Sequence, residues 1–220
     1  MSTSFKTTRA NVLFELHDTA GNDYSANELY AYGNKALSYL SRKLASMDAK
    51  IAELATSVTY GTGTVSKDLP DNFIKMSTTK YGQPRIFNLT NGTMSMSRAD
   101  DEDIDDWESE TAVDNGTPNQ FYIRANKLYL HPRPKIKSDI KYYHFTKQIV
   151  SSTGGAVPWN GQFDEAIESF IISKCRNRSE NVGAAQSDGA EFTELDRAAF
   201  ETVFGRDGFE MGFEDGFNWG

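Results

Sequence analysis

Residues 25–54, SANELYAYGNKALSYLSRKLASMDAKIAEL, contain the pattern that decides the fold. Ser25 and Glu28 have the S-x-x-E spacing of a capping box, in which a hydroxyl and a carboxylate satisfy free backbone N–H groups at a helix start. Downstream, apolar residues recur at alternating steps of three and four, which keeps one helix face apolar for about 40 Å. The sequence therefore predicts a long helix that begins after Ser25. Its apolar stripe consists of Tyr30, Gly33, Leu37, Leu40, Leu44, Met47, Ile51 and Leu54.

The stripe has two explanations. It fits packing inside the protein's own helical bundle, and it also fits packing against a neighbouring subunit. Because a small domain seldom needs a helix of this length for its own packing, the pattern favours an oligomer. The candidate interface residues on this helix are Leu37, Leu40, Leu44 and Met47.

Between residues 56 and 147 the hydrophobic period shifts toward two, and turn residues recur every few positions. Asn91-Gly92 is the dipeptide favoured in type I′ hairpin turns. We therefore expect a small antiparallel sheet. Its predicted strands cover 56–60, 73–77, 86–90, 93–97, 121–123, 127–130 and 140–146.

The last sixteen residues combine glycine, acidic residues and large aromatic residues. Glycine is too frequent for a helix that stands alone, and the aromatic residues are too many for an inert, solvated tail. These rings either fold back onto the chain or bind a neighbouring subunit or partner. We treat four of them as candidate interface residues: Phe209, Phe213, Phe217 and Trp219.

These patterns predict an α+β fold. A helical bundle, made from a long N-terminal helix and C-terminal helices, carries a small antiparallel β-sheet as an insertion and ends in an extended C-terminal tail. The predicted boundaries are 1–55 and 156–204 for the helical bundle, 56–150 for the β region, and 205–220 for the glycine- and aromatic-rich tail.

Charge alternates in sign along the chain. Residues 100–119 carry nine acidic and no basic residues, whereas 120–160 carry seven basic residues and one acidic residue. The acidic run predicts a solvated helical turn or loop that is held in place by Ile104 and Trp107. A dedicated DNA-binding protein usually presents a net basic surface, but this chain has a net charge of −8. Sequence-specific binding of nucleic acid is therefore not expected.

No catalytic, cofactor-binding or metal-binding residue is predicted, and we expect a protein that is not an enzyme. Asp101, Asp103 and Asp105 alternate as in a calcium loop, but Asp106 and Ala112 replace the required glycine and bidentate glutamate. No segment has the roughly 20 consecutive apolar residues of a membrane span, and no signal peptide is recognisable at the start. Structural roles are expected for His17, His131, His144 and Cys175.

The order of several short motifs resembles the head-to-tail adaptor, or head-completion, proteins of tailed bacteriophages. The resemblance covers about residues 9–204 and begins with a short helix followed by the long one. No single motif is specific, and the resemblance lies in their shared order. The motifs are Leu69-Pro70-Asp71-Asn72-Phe73, an acidic stretch that ends at Trp107, Gly116-Thr117-Pro118, Lys127-Leu128-Tyr129-Leu130-His131-Pro132-Arg133-Pro134, Lys141-Tyr142-Tyr143, Val157-Pro158-Trp159 and Phe163-Asp164-Glu165-Ala166-Ile167.

The resemblance implies a structural virion protein, made in the host cytoplasm, at the portal–tail junction. It implies a homo-oligomeric ring, commonly twelvefold, that binds the portal protein and a nozzle or tail-tube protein. DNA would pass through its channel during genome ejection without sequence-specific binding, and no cofactor or membrane would be involved. The alternative is another virion module, such as a tail or baseplate subunit that binds a protein or a glycan.

Overall fold

The computed structural model describes residues 4–109, 115–150, 155–178, 189–190, 193–199 and 201. The chain divides into two compact units. The first, here called the helical unit, combines the residues before Ala52 with those after Lys147. The second, called the β unit, is the continuous stretch Ala52–Lys147. The β unit is thus an insertion between the two parts of the helical unit.

The helices, in chain order, are α1 (Phe5–Glu15), α2 (Ala26–Ser46), α3 (Asp101–Ser109) and α4 (Asp164–Arg178). The helical unit contains α1, α2 and α4, and residues 193–199 are also helical. Contacts of α4 with both α1 and α2 hold the unit together. Its core is apolar, with fully buried side chains that include Phe5, Val12, Leu29, Leu37, Leu40, Leu44, Phe163, Ile167 and Ile171.

The start of α2 confirms the predicted helix start. The backbone N–H of Glu28 donates to the hydroxyl of Ser25 at 3.3 Å, as in a capping box. The carboxylate of Glu28 does not return the bond to Ser25. It accepts two hydrogen bonds, at 2.7 and 2.6 Å, from Nη1 of Arg178 at the end of α4. One half of the predicted box therefore caps α2, and the other half links two helices.

The end of α2 lies earlier than predicted. Asp48 adopts a left-handed φ of 50°, and the N–H of Ala49 returns to the carbonyl of Leu44 at 2.9 Å. This is the terminating bond of a Schellman motif. Ile51 and Leu54 therefore lie beyond the helix, and the prediction of a 40 Å helix is wrong. The helix has 21 residues, and it is about 32 Å long at 1.5 Å per residue.

The turn between α1 and α2 is organised by one carboxylate. Asp18 accepts hydrogen bonds from the backbone N–H groups of Asn22 at 2.8 Å and of Asp23 and Tyr24 at 3.0 Å. Burial opposes ionisation of this group, but the N–H donors, with Gly21 among them, outweigh burial and lower the pKa of Asp18. The ionised side chain thus holds the turn that brings α2 against α1.

The β unit contains short strands, and all but one of the strands named here have seven residues or fewer. In chain order they are β1 (Leu54–Tyr60), β2 (Ser66–Asp68), β3 (Phe73–Met76), β4 (Ile86–Asn88), β5 (Met94–Ser95), β6 (Ser97–Arg98), β7 (Asn115–Gly116), β8 (Gln120–Arg124), β9 (Lys127–His131), β10 (Arg133–Pro134) and the nine-residue β11 (Ser138–Thr146).

These strands form three sheets. The first has the order β1-β11-β4-β5, with β3 also paired to β11; the second has the order β2-β9-β8-β6; and the third pairs β10 with β7. In the first sheet, β1 and β11 are antiparallel in unbroken register from Leu54↔His144 to Tyr60↔Ser138. The first and last strands of the insertion are therefore neighbours, so the chain enters and leaves the β unit side by side.

The two larger sheets enclose a single hydrophobic core. The hydroxyl of Tyr60, on the first sheet, donates to the carbonyl of Leu128, on the second, at 2.8 Å. Burial, with a further contribution from the nearby Tyr142, raises the pKa of the Tyr60 phenol. The core side chains are Tyr60, Leu69, Met76, Ile86, Met96, Phe121, Leu128, Leu130, Ile140 and Tyr142.

The architecture corrects the predicted fold class. The fold is α+β in the broad sense, but it is not a helical bundle with one small inserted sheet. The described residues contain eleven strands in three sheets, and the β unit has a hydrophobic core of its own. The prediction missed β2, β7 and β10 because strands of two or three residues are too short to show an alternation of apolar and polar side chains.

The hairpin predicted at Asn91-Gly92 forms, because β4 and β5 pair as antiparallel strands, but its turn is not of type I′. A type I′ turn needs positive φ at both central residues. Ala125 and Asn126 meet this requirement, with φ of 47° and 59°, and they connect β8 to β9. At Asn91-Gly92 only Gly92 has a positive φ, of 102°. The Asn-Gly pair therefore joins β4 and β5 through a different turn.

Candidate interaction surfaces

The apolar stripe on α2 packs within the helical unit. Leu37, Leu40 and Leu44 are completely buried, and Met47, at the C-cap of α2, is partly buried. Helix α1 also packs closely against this stripe, because the ring of Phe5 lies over Gly33. The leucines thus belong to the unit's own core, which is the first of the two explanations of the stripe. A role for them in contacts between subunits stays a prediction.

The four aromatic residues of the predicted tail lie outside the described residues. The last described position before them is Glu201. Their assignment as interface residues therefore remains a prediction that rests on sequence. These residues are Phe209, Phe213, Phe217 and Trp219.

A buried ion pair joins the helical residues 193–199 to α2. Nζ of Lys43 lies 2.7 Å from Oδ2 of Asp196, and the hydroxyl of Tyr39 donates to the same oxygen at 3.4 Å. Asp196 is only 2% exposed. Burial raises the pKa of Asp196, although Lys43 and Tyr39 act in the opposite direction. This pair fixes the position of the segment that precedes the tail.

The acidic run folds into α3, and an aromatic stack attaches it to the second sheet. The ring of Trp107 lies flat on that of His131 in β9, with centroids 3.6 Å apart and planes 2° apart. Tyr122 and Tyr129 stack beside them at 4.6 Å. The side chains of Asp101, Glu102 and Asp105 are exposed, so α3 presents a negative surface. The predicted pinning role of Trp107 is confirmed.

The outward face of the first sheet carries cations and aromatic rings. The guanidinium of Arg85 lies 4.0 Å from the centroid of the Tyr143 ring, and Nζ of Lys141 lies 5.2 Å from it. Phe87 meets the same ring edge to face at 6.3 Å. Glu53 forms an ion pair with Arg85 and fixes its direction. This arrangement suits binding of an acidic or aromatic partner group.

Cys175 and His144 are buried and placed for packing, whereas His17 is exposed. Burial raises the pKa of the Cys175 thiol to about 12, which suppresses the nucleophilic thiolate. His144 is 2% exposed, and burial lowers its pKa so that the neutral ring packs against Phe73. His17 ends α1 with a positive φ of 56°. Within the described part of the chain, no group of three His, Cys, Asp or Glu residues is arranged to hold a metal ion.

Sequence reasoning missed three of these polar centres. Asp18 had a detectable signal, because an aspartate a few residues before a Gly-Asn pair, here Gly21-Asn22, commonly accepts hydrogen bonds from the turn that follows. Asp196 and Glu53 had none, since their partners lie on elements that are distant in the chain. Ion pairs between elements that are distant in the chain become visible only when the tertiary contacts are known.

The sequence matches no protein-family model, and no curated protein is significantly similar to it. None of the helices in the described ranges combines the length and apolar character needed to cross a bilayer.

Proposed function

We propose that this protein is a head-to-tail adaptor, a non-catalytic subunit of a ring that joins the portal of a tailed bacteriophage to its tail. The ring would contain several copies, twelve in the usual arrangement, and its channel would carry the DNA during ejection. Its partners would be the portal protein on one side and a nozzle or tail-tube protein on the other. Its location would be the portal–tail junction of the virion.

The observation that carries the proposal is the order of elements along the chain. Two helices come first, the β unit follows as an insertion, and helices from the C-terminal part complete the helical unit. The motifs that resemble adaptor proteins occur in the same order. A fold by itself does not define a function. The support comes from the coincidence of this order with those motifs.

The motif residues form the framework of both units. Leu69 is buried in the core of the β unit, and Pro70 precedes β3. The carbonyl of Pro118 accepts a buried hydrogen bond, at 3.0 Å, from the side-chain amide of Asn88. In the helical unit Trp159 is 7% exposed and Phe163, at the start of α4, is completely buried. The motifs therefore lie where changes would disturb the fold, so their shared order favours a shared architecture.

The charge distribution supports contact between unlike surfaces of neighbouring copies. The exposed carboxylates of α3 form one negative surface, and Lys135 and Lys137, both exposed, lie in the loop before β11. Surfaces of opposite sign on one subunit are suited to a ring in which each copy meets the next in the same way. Acidic groups facing a channel would also avoid retaining DNA phosphates.

The test is binding to the portal protein encoded by the same genome. Purified chain and portal are mixed and followed by sedimentation velocity, with the full-length chain compared with a chain that ends at Gly205. We expect cosedimentation at a fixed ratio for the full-length chain and its loss for the shortened one. A full-length variant in which Phe217 and Trp219 are replaced by Ser is the matched control for chain length.

Each outcome has a distinct meaning. Loss of binding in the shortened chain and in the serine variant would make the aromatic rings the anchor on the portal. Binding that survives both changes would keep the adaptor function but move the anchor to the two folded units. If the full-length chain does not sediment with the portal, the adaptor proposal is wrong, and tail proteins and glycans become the partners to test.

A further inference from the structure

The outer edge of β1 is open within the described part of the chain. β1 is the terminal strand of the first sheet, and all seven of its residues pair with β11 on one side only. Its exposed residues include Leu54, Ala55, Ser57 and Thr59. Along the other side, alternate backbone N–H and C=O groups are available for a further strand.

This edge lacks the features that normally prevent strand addition. Native edge strands are protected by short length, charged residues, proline or a bulge. β1 reads Leu-Ala-Thr-Ser-Val-Thr-Tyr, without charge or proline, and its register is unbroken. The outer strands of the second sheet differ, because β2 has three residues including Lys67 and Asp68, and β6 has two including Arg98. Among the described strands at the end of a sheet, β1 therefore has the longest edge without these protective features.

The two faces next to this edge have different chemistry. On the inner face, Val58 is partly buried against the core of the β unit, so the core is open to further apolar side chains at this margin. On the outer face, Ser57 lies opposite Lys141, and Ala55 lies opposite Tyr143, whose ring is covered by the guanidinium of Arg85. A strand that fits this edge needs apolar side chains on one face and small or acidic side chains on the other.

The chain contains a sequence with that pattern. Residues 208–214 read Gly-Phe-Glu-Met-Gly-Phe-Glu, and the Gly-Phe pair recurs at 216–217. In an extended strand alternate side chains share a face. Phe209, Met211 and Phe213 would then lie on one face, with Glu210 and Glu214 among the glycines on the other. The segment has the same number of residues as β1 and the charge opposite to Lys141 and Arg85.

We infer that residues 208–214 of one copy add a strand to the free edge of β1 in a second copy. The aromatic face covers Val58 and extends the core, and the glutamates face the cations of the outer face. This inference rests on the ring proposed above, because repetition of the same contact from copy to copy links all subunits. Phe217 and Trp219, which follow this segment in the chain, would then be left to bind the portal.

Photocrosslinking in the portal-bound protein tests the contact. Phe213→p-benzoylphenylalanine is introduced into full-length chain, and equal amounts of ¹⁵N-labelled and unlabelled chain are assembled on the portal. We expect crosslinks from position 213 to peptides that contain residues 54–60, with half of the crosslinked pairs of mixed label. The same photoreactive residue at Tyr81, which is 77% exposed in the β unit, is the control and should not link to those peptides.

A second variant tests whether the edge itself is needed. Ser57→Glu places a negative charge on the outer face of the open edge, where it repels Glu210 and Glu214 of the added strand, and it should lower the yield of the crosslink about tenfold. Ser95→Glu is its matched control, since Ser95 is an exposed serine in β5 of the same sheet, and it should leave the yield unchanged.

Other results overturn the inference. Crosslinks to residues 54–60 without mixed label would place the segment on its own chain. Crosslinks elsewhere, or a yield that Ser57→Glu does not lower, would remove β1 as the docking site. If the chain sediments with the portal but lacks the crosslink, the inference fails while the adaptor function stands. If it does not sediment with the portal, the adaptor function fails and the inference fails with it.

Discussion

Gly33 lies in the middle of α2, where two physical effects of its replacement by alanine have opposite signs. Helix propensity favours alanine over glycine by about 1 kcal/mol. Packing opposes it, because a Cβ on Gly33 would lie 2.6 Å from Cε2 of Phe5 and even nearer to Cζ. Carbon atoms in contact need about 3.5–4.0 Å, so the ring would have to move by about 1 Å. The sign of the effect depends on whether Phe5 can move.

The surroundings of Phe5 restrict that movement. The ring is fully buried and lies 5.0 Å from the ring of Tyr30, and its backbone N–H donates to the carbonyl of Gly155 at 3.0 Å. Overpacking in such a site costs up to about 3 kcal/mol. We therefore expect Gly33→Ala to lower the free energy of unfolding of the helical unit by about 2 kcal/mol.

Urea unfolding measures this change. Trp159 lies in the helical unit and is 7% exposed, so it reports on that unit once Trp107→Phe and Trp219→Phe remove the other indoles. The decisive comparison is Gly33→Ala in a Phe5→Leu background, where the clashing ring edge is gone. There the substitution should stabilise by about 1 kcal/mol. Stabilisation in the wild-type background, or equal effects in both backgrounds, would refute the packing argument.

Three further predictions concern buried polar groups. Cys175 should react with a thiol reagent at pH 8 about a thousandfold more slowly in the native protein than in urea, because burial raises its pKa from 9.0 to about 12; equal rates would show that the thiol is accessible. Asp196→Ala should lower the free energy of unfolding of the helical unit by about 3 kcal/mol, because it leaves the charge of Lys43, whose side chain is only 13% exposed, without this carboxylate. The double variant Lys43→Met with Asp196→Leu removes both charges and should recover most of this loss in urea unfolding. The pKa of Asp18 is lowered on folding, so its contribution to stability is present above pH 3.8 and is lost as pH falls through the lower folded value; Asp18→Asn should therefore reduce the melting temperature at pH 7 and make little difference at pH 2.

Local patterns predicted several elements correctly. The S-x-x-E signal gave the start of α2, and alternation of apolar residues gave β1, β3, β4, β8, β9 and β11 to within a few residues. The errors have physical causes. Asp48 takes a left-handed conformation that favours glycine, so the end of α2 had no sequence signal. The apolar spacing continued past this point by coincidence, and it extended the predicted helix into β1.

Long-range contacts were beyond the reach of these patterns. The pairing of β1 with β11 joins residues that are about eighty positions apart, and hydrophobic alternation does not say which strand lies beside which. The ion pairs of Glu53 with Arg85 and of Lys43 with Asp196 likewise join separate elements. The contacts of the candidate interface on α2 could not be predicted for the same reason. Periodicity shows that one face of the helix is apolar, but it does not identify which residues cover that face.

The burial of Leu37, Leu40 and Leu44 changes where contacts between subunits should be sought. A near-heptad stripe favours helix association when it remains exposed, but here these side chains are fully covered inside the helical unit. If copies of this chain associate, their contacts must use backbone groups or side chains that the units leave open. The free edge of β1 offers unpaired backbone groups in a row, and strand addition there requires no exposed apolar helix. A ring joined in this way would be disrupted by a negative charge at Ser57 and would tolerate substitutions on the exposed face of α2, the reverse of what a ring joined by helix packing predicts.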